Sequence, residues 1–210
     1  STFLFHKTLV HIYLPGDFNV RNALAALTLG EALEIPLGKM AQAFEKILFI
    51  RGRMEEVSEG QSFRVIVDYA HTPDSLRAAY GAHKDARKIC VLGGTGGGRD
   101  HWKRKEMGSI ADEFCAEIIL TDEDPYNEDP EKIVREVQSG ITHVPCVVIM
   151  DRRDAIRAAL KRAQTGTAVY ITGKGTDPCI CGPNGLKTPW DDATVAREEL
   201  ALRAERLAAL

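Results

Sequence analysis

The sequence lacks a long apolar run and a strong excess of charge of either sign. No apolar stretch approaches the roughly 18 residues of a membrane span, and residues 1–7 do not show the basic, apolar and small-residue order of a signal peptide. The net charge of −3 among 210 residues offers no electrostatic basis for binding nucleic acid or an anionic membrane. We therefore expect a cytoplasmic, globular protein without nucleic-acid or membrane partners.

Cysteine is scarce, and its spacing carries no metal-binding signature. The five cysteines are odd in number and contain no C-x-x-C pair. We therefore expect neither a disulfide framework nor a zinc site, and we assign no metal ligands. Only Cys179 and Cys181 are close neighbours. On a strand this spacing turns both thiols to one face, and we interpret them as two small residues of a hairpin.

Two common nucleotide-binding signatures are also absent. The dinucleotide fingerprint G-x-G-x-x-G, started at Gly94, would need a glycine where Arg99 stands. The phosphate loop G-x-x-x-x-G-K-[ST] fails because Gly173-Lys174 is followed by Gly175. These absences disfavour a nicotinamide-dependent oxidoreductase, and they leave the chain without an anchor for the phosphates of ATP.

What the sequence does contain is a glycine-rich loop between a strand and a helix. Residues 88–92 are a short apolar run typical of a buried strand, and five glycines follow within 93–98. The next segment places four apolar residues on one helical face: Met107, Ile110, Ala111 and Phe114. Glycines let a ligand approach the backbone, and N–H groups near a helix N-terminus receive anions. The loop predicts a binding site, with a tight turn without ligand as the alternative.

From residue 52 onward, strands and helices alternate. The predicted strands are 63–67, 88–92, 118–121, 147–150 and 168–171, and the predicted helices lie near 73–85, 103–115, 130–140, 152–164 and 192–208. The predicted helix caps are Thr72, Asp129, Asp151 and Asp191. This alternation predicts an α/β fold with a Rossmann-like, doubly wound and mainly parallel sheet. Residues 182–185 predict a hairpin turn.

Residues 1–51 show a different pattern. A strand at 8–14 is followed by a helix with Asn19 as its cap and by a second helix at 40–48. One strand and two helices make a poor independent core. We therefore predict that residues 1–51 are the end of a domain whose beginning is absent, and that residues 52–210 form a separate domain.

Polar residues follow every predicted strand of the sheet. The loops are 68–75, 93–99, 122–130, 151–153 and 172–177. Ligands bind at the edge where the carboxyl ends of parallel strands meet, so we expect these loops to form one site. Each loop also has a simpler interpretation, in which its polar residues only cap helices or face solvent.

Several of these segments resemble, in the same order, the Mur ligase family. They are 16–24 (Gly-Asp-Phe-Asn-Val-Arg-Asn-Ala-Leu), 52–55 (Gly-Arg-Met-Glu), 68–75 (Asp-Tyr-Ala-His-Thr-Pro-Asp-Ser), 97–100 (Gly-Gly-Arg-Asp), 124–125 (Asp-Pro) and 173–175 (Gly-Lys-Gly). The similarity runs from about residue 10 to the C-terminus. It implies that 1–51 is the end of the central ATPase domain and that 52–210 is the amino-acid-binding, Rossmann-like C-terminal domain.

The resemblance implies an ATP-dependent ligase of peptidoglycan synthesis, and so a part in cell shape and division. ATP would phosphorylate the terminal carboxylate of UDP-MurNAc-L-Ala-D-Glu, and the amine of a third amino acid would attack the acyl phosphate. Mg²⁺ would be required, but most of its ligands and the phosphate loop would belong to N-terminal and central domains of the same polypeptide. We therefore expect this chain alone to be inactive. A non-catalytic module that binds nucleotide or amino acid is the alternative.

The resemblance also implies roles for individual residues, although it assigns no catalytic residue within this chain. The nucleotide-binding residues would be Asn19, Asn22, Arg53, Asp68 and His71. The amino-acid-binding residues would be Arg99, Asp124, Tyr126, Gly173 and Asp177. A guanidinium pairs with a carboxylate, a carboxylate accepts hydrogen bonds from hydroxyl or ammonium groups, and glycines expose main-chain groups.

The chain departs from this family where the amino acid would bind. Relatives that add meso-diaminopimelate carry Asp-Asn-Pro-Arg where residues 123–126 are Glu-Asp-Pro-Tyr. Tyr126 therefore replaces the arginine that would pair with a distal carboxylate. Glu123, Asp124 and Asp177 would make the pocket acidic, so lysine or ornithine is the expected substrate.

Overall fold

The structure, a computed structural model, describes residues 1–83, 86–98 and 100–208. Its first part contains β1 (Thr2–Phe5), β2 (Thr8–His11), α1 (Asp17–Ala32) and α2 (Leu37–Phe44). The two strands form an antiparallel hairpin, and the two helices share a small apolar core with it. The core consists of Val10, Ile12, Ala23, Leu27, Met40 and Ala41.

The expected single strand at 8–14 is wrong, because it has a partner. The chain reverses at His6 and Lys7, which both adopt positive φ. β1 then pairs with β2 in register from Phe5 opposite Thr8 to Thr2 opposite His11. A short hairpin turn without glycine or asparagine is the feature that the sequence pattern did not reveal.

The two helices of this part are also displaced from their predicted positions. Asn19 is not a helix cap, because α1 already begins at Asp17 and the Asn19 Nδ2 group donates to the Pro15 carbonyl oxygen at 2.6 Å. The second helix covers Leu37–Phe44 rather than 40–48. Pro36 stands directly before it, where its missing N–H costs no helical hydrogen bond.

The second part is a six-stranded sheet with helices on both faces. Its elements are β3 (Glu55–Glu56), β4 (Arg64–Asp68), α3 (Pro73–Gly81), β5 (Arg87–Leu92), α4 (Trp102–Phe114), β6 (Glu117–Leu120), α5 (Pro130–Gln138), β7 (Cys146–Val148), α6 (Arg152–Arg162), β8 (Thr167–Thr172), β9 (Cys179–Cys181), β10 (Lys187–Pro189) and α7 (Asp192–Ala208). The strand order is β3-β4-β8-β5-β6-β7, and only β3 is antiparallel to its neighbour. The predicted mainly parallel α/β fold is confirmed.

The two faces of the sheet pack against different helices. Cys90 and Leu92 belong to a core shared with α3, α4 and α5, whereas Val91 belongs to a core shared with α6 and α7. This alternation along β5 follows from the two-residue repeat of a strand, and it makes the sheet doubly wound as predicted. Among the described residues, no helix is both long enough and apolar enough to cross a membrane.

The four helix caps predicted in the second part are confirmed, and they mark where the loops end and the helices begin. Each cap side chain accepts a hydrogen bond from a backbone N–H in the first helical turn: Thr72 from Ser75, Asp129 from Glu131, Asp151 from Asp154 and Asp191 from Thr194. The predicted hairpin is confirmed as well, with β9 and β10 antiparallel around residues 182–186. All the loops that follow parallel strands therefore lie at one edge of the sheet.

Although no disulfide framework was expected, the structure contains a disulfide bond that the sequence did not predict. Cys90, within β5, is bonded to Cys115, the residue after α4. The helix returns along the strand that precedes it, so residues 25 positions apart come to a Cα–Cα distance of 6.3 Å. The sequence spacing alone did not show this return. Cys146, Cys179 and Cys181 are free thiols.

At the opposite edge of the sheet, Asp112 holds the segment that leads into β7. Its carboxylate accepts hydrogen bonds from the backbone N–H groups of Thr142, His143 and Val144 and from the side chains of the first two. Burial alone would raise the pKa of Asp112, but these hydrogen bonds hold it well below its usual value of 3.8. The ionised carboxylate is thus a structural requirement.

We predict that Asp112→Asn lowers the free energy of unfolding at pH 7 by about 2–3 kcal/mol, because a charged acceptor of several hydrogen bonds is lost. A pKa lowered by folding adds stability above the unfolded value near 4, and this stability disappears as the pH falls through the folded value. The variant should therefore lose less stability than the wild type below pH 4.

Urea denaturation at several pH values measures both effects. The control is Glu113→Gln, whose partner Arg77 is half exposed. It should change stability by less than about 0.5 kcal/mol. Equal losses in the two variants would contradict the role given to Asp112.

Candidate functional site

The loops at the carboxyl ends of the strands are connected by backbone hydrogen bonds. Gly173 N–H donates to the Asp68 carbonyl oxygen at 3.1 Å, which joins the loops after β8 and β4. Gly96 N–H donates to the Asp124 carbonyl oxygen at 2.8 Å, and Thr95 and Asp124 form an isolated parallel β-bridge. These contacts join the loops after β5 and β6. The predicted convergence of these loops at one edge is therefore observed.

A cavity of about 550 Å³ lies between the start of α1 and the loop after β4. All five residues predicted to bind nucleotide line it: Asn19, Asn22, Arg53, Asp68 and His71. Phe18, Tyr69 and Ala79 add apolar surface to the same wall. Residues from both predicted domains therefore face one enclosed space.

Asp68 is the buried acid of this cavity. Only 8% of its surface is exposed, and its two carboxylate oxygens accept hydrogen bonds from Met54 N–H at 2.7 Å and Ala70 N–H at 2.8 Å. Burial raises the pKa of this carboxyl, and the two hydrogen bonds oppose that increase. Each oxygen keeps a second lone pair, so the fixed carboxylate can still accept hydrogen bonds from a ligand.

Tyr69 organises the neighbouring cationic and aromatic groups. The Arg53 guanidinium lies over the Tyr69 ring, 4.3 Å from its centroid. The His71 ring contacts Tyr69 edge to face at 4.6 Å, and its Nδ1 atom lies 2.8 Å from the Tyr69 carbonyl oxygen. Cation–π contact and this hydrogen bond restrict both side chains. Arg53 and His71 are thus held in place at the mouth of the cavity.

Lys174 connects the loops of the predicted amino-acid subsite. Its side chain is fully buried, and its Nζ atom lies 2.8 and 2.7 Å from the two carboxylate oxygens of Asp124 and 2.9 Å from the carboxylate of Asp177. Burial alone would lower the pKa of Lys174, but these two carboxylates raise it. The simpler interpretation, in which the polar residues of this loop only face solvent, is therefore wrong for Lys174, because its ammonium group is buried and paired with two carboxylates.

Glu123 lies beneath the same loops. It is 2% exposed, its Oε1 atom accepts a hydrogen bond from Thr95 Oγ1 at 2.9 Å, and no described group donates to its Oε2 atom. Burial raises its pKa. Gly173, with φ of 111°, packs directly on this carboxyl, and a Cβ atom there would overlap it. The site requires glycine at position 173 for this reason.

The free negative charge of the expected acidic pocket is smaller than its three acids alone suggest. Asp124 and Asp177 are neutralised in part by Lys174, and the raised pKa of Glu123 favours its uncharged form. Three acids along the chain do not amount to three free negative charges in the folded protein. The sequence could not show this, because the neutralising ammonium is 50 residues away from Asp124.

Tyr126 is positioned by the β9–β10 hairpin and by the glycine loop. Its N–H donates to the Cys181 carbonyl oxygen at 2.9 Å, while Cys181 N–H donates to the Asp124 carboxylate at 2.7 Å. A Cβ atom on Gly97 would touch the Tyr126 ring at 3.2 Å. The two hairpin thiols lie on one face as predicted, with Sγ atoms 3.8 Å apart between Cys179 and Cys181.

Of the predicted amino-acid-binding residues, Asp124, Tyr126, Gly173 and Asp177 lie on adjoining loops, and Arg99 lies outside the described residues. Sequence reasoning missed two buried arginines at the same edge. Arg152 forms a double hydrogen bond with Asp192 and donates to the Thr172 carbonyl oxygen. Arg104 lies under the glycine loop. Its position on the apolar face of α4, three residues before Met107, was the available signal.

These features define a Rossmann-like α/β domain joined to a preceding segment that completes one of its cavities. Residues 52–175 match the family described as Mur ligase, glutamate ligase domain. The chain belongs to the Mur ligase family, as the sequence motifs predicted.

Three similar proteins illustrate the relationship. The chain is 40% identical over 201 residues to UDP-N-acetylmuramoyl-L-alanyl-D-glutamate–2,6-diaminopimelate ligase of Caldanaerobacter subterraneus subsp. tengcongensis, covering 93% of this chain and 41% of that protein. It is 41% identical over 196 residues to UDP-N-acetylmuramyl-tripeptide synthetase of Roseiflexus sp., covering 90% and 38%. A solved diaminopimelate ligase structure superposes with a TM-score of 0.69 at 32% identity, covering 94% and 41%. The chain spans about two fifths of each relative.

We predict that Lys174→Met destabilises the protein by about 3–5 kcal/mol, because the substitution leaves two carboxylates without their buried cation. Urea denaturation of the variant measures this loss. The control Lys187→Met changes an exposed lysine on the nearby hairpin and should alter stability by less than about 0.5 kcal/mol. A Lys174→Met protein as stable as the control would show that the three charges are not coupled.

Proposed function

We propose that this chain is the C-terminal part of an ATP-dependent ligase that adds the third amino acid to UDP-MurNAc-L-Ala-D-Glu. The observation that carries the proposal is the cavity beside Asp68, which gathers all five predicted nucleotide-binding residues from two separate parts of the chain. Relatives of about 40% identity have names that describe this class of substrate, which supports the same reaction.

In this proposal the cavity receives the nucleoside end of ATP. Asp68 keeps lone pairs for the two ribose hydroxyls after accepting its two backbone hydrogen bonds. Arg53, fixed over Tyr69, lies at the rim where a phosphate would emerge. Asn19 and Asn22 close the side formed by α1. These residues bind and orient the nucleotide.

Magnesium would neutralise the phosphates of ATP when bound. The described residues contain no cluster of three or more histidine, cysteine, aspartate or glutamate side chains that could hold a metal ion. We therefore assign the magnesium ligands, like the phosphate loop, to other parts of the enzyme. The chemistry left to this chain is the orientation of nucleotide and amino acid.

The amino acid would bind across the loops after β5, β6 and β8. Arg99 would pair with its α-carboxylate, since an arginine beside exposed glycine N–H groups suits a carboxylate. Gly173, Asp124 and Asp177 would define the opposite wall. This arrangement would hold the amine ready to attack an acyl phosphate, and binding of this kind lowers the barrier by fixing the reacting groups.

We predict that the purified 210-residue chain does not release phosphate from ATP, because a glycine loop with lysine and Mg²⁺ is needed at the β and γ phosphates. A phosphate-release assay with the full-length ligase as the positive control measures this. If the isolated chain releases phosphate and the Asp68→Ala substitution abolishes this release, the assignment of the phosphate loop to other parts of the enzyme is wrong.

We further predict that the full-length enzyme prefers lysine or ornithine to meso-diaminopimelate. Tyr126 stands where an arginine would bind the distal carboxylate. Two cations described at this edge, Lys174 and Arg152, are engaged elsewhere, since Lys174 binds Asp124 and Asp177 and Arg152 binds Asp192. An unpaired buried charge costs about 3–5 kcal/mol, so meso-diaminopimelate should be used at least roughly 10²-fold less efficiently.

The measurement supplies UDP-MurNAc-L-Ala-D-Glu and ATP with equal concentrations of the three amino acids and identifies the products by mass spectrometry. The matched variant is Tyr126→Arg, which should shift the product towards meso-diaminopimelate. A dominant meso-diaminopimelate product from the wild type would refute the Tyr126 argument and leave the reaction class intact.

A further inference from the structure

Arg104 is a fully buried arginine in the first turn of α4, directly behind the glycine loop. Its NH1 group donates to Glu136 at 2.6 Å and lies 2.9 Å from the His101 Nδ1 atom. Its NH2 group donates to the Thr95 carbonyl oxygen at 2.8 Å and to Glu128 at 2.9 Å. A guanidinium withdrawn from water requires such partners, and two of them belong to the site edge.

Glu128 connects the same arginine to the far end of the glycine loop. One of its carboxylate oxygens pairs with Arg104, and the other accepts a hydrogen bond from Gly98 N–H at 2.7 Å. This N–H and the Arg104 guanidinium together lower the pKa of Glu128, so the carboxylate stays ionised. Arg104 therefore holds Thr95 directly and Gly98 through Glu128.

The segment between these two anchors has little rigidity of its own. Gly97 and Gly98 both adopt positive φ, and glycine residues lose more conformational freedom on ordering than other residues. If the ligand had to order this loop on binding, the lost conformational entropy would lower the affinity. A loop that is already ordered in the free protein avoids this loss. The two anchors supply this order before the amino acid arrives, together with the hydrogen bond from Gly96 N–H to the Asp124 carbonyl oxygen.

We propose that Arg104 and Glu128 are positioning residues for amino-acid binding, which hold the backbone at 95–98 in its binding conformation. This inference rests on the proposed function, since it assigns the glycine loop to the amino acid. In this proposal neither residue contacts the reacting atoms. Both affect amino-acid binding only through the conformation of the loop.

Glu136 provides a control for a merely structural role. It pairs with the same guanidinium as Glu128 and has a similar exposure, 30% against 22% for the side chains. The described hydrogen bonds and ion pairs of its side chain are with Arg104 and His101 and do not reach the loop at 95–98. Removing either glutamate costs Arg104 one ion pair, but only Glu128→Ala also releases Gly98.

The experiment measures KM for the amino acid, for ATP and for UDP-MurNAc-L-Ala-D-Glu in the full-length ligase. Glu128→Ala should raise the amino-acid KM about 10-fold, which corresponds to the loss of one charge-assisted hydrogen bond, and should leave the other two KM values within about twofold. Glu136→Ala should leave all three within about twofold. Arg104→Lys should resemble Glu128→Ala, and the double variant Arg104→Lys/Glu128→Ala should be little worse than the poorer single variant.

Two results would overturn the inference. One is an unchanged amino-acid KM in Glu128→Ala, and the other is an equal rise in Glu136→Ala, which would indicate general loosening of the helix end. A full-length wild type that joins no amino acid to the UDP-MurNAc dipeptide would instead overturn the proposed function together with this inference. The wild-type assay thus separates the two failures.

Discussion

The edge of the sheet depends on a buried ammonium group that must be neutralised. Lys174 has no exposed side-chain surface, and a charge so placed is tolerated only with close partners. Asp124 and Asp177 meet this need from the loops after β6 and β8, and Asp124 also accepts the N–H of Cys181 in the hairpin. The loop after β6 and the segment from Lys174 to Cys181, which are distant in sequence, are thereby fixed around one charge.

Close backbone approach is the second constraint at this edge. Gly173 lies so near the Glu123 carboxyl that any Cβ atom would overlap it, and Gly96 lies equally near the Pro125 carbonyl group. The buried lysine draws the loops together, and the glycines permit the resulting contact. Arg104 completes the arrangement from below by holding Thr95. The ion pairs of Lys174 and the close backbone contacts at Gly173 and Gly96 therefore stabilise the same group of loops.

The sequence predicted the regular part of this structure better than the pairing of its side chains. Apolar runs and caps such as Thr72 and Asp129 are local signals, so the strands, the helices and the convergence of their loops were predictable. The Lys174–Asp124 pair, the Arg104 contacts and the Cys90–Cys115 bond join residues that only the fold brings together. The net charge of the acidic cluster depends on these long-range pairs, so the sequence alone overstated its free negative charge.

Gly52, the first residue after the predicted boundary, contacts both the loop that lines the Asp68 cavity and the loop after β8. Its carbonyl oxygen accepts a hydrogen bond from Tyr69 N–H at 3.0 Å, beside that cavity. Its Cα atom, with φ of 61°, packs against the backbone of Gly175 and Thr176 in the loop that carries Lys174. Any side chain there would press on that loop. Since Arg53 follows directly, the backbone conformation of Gly52 sets both the position of the Arg53 guanidinium and the distance between the Asp68 cavity and the loop at 172–177.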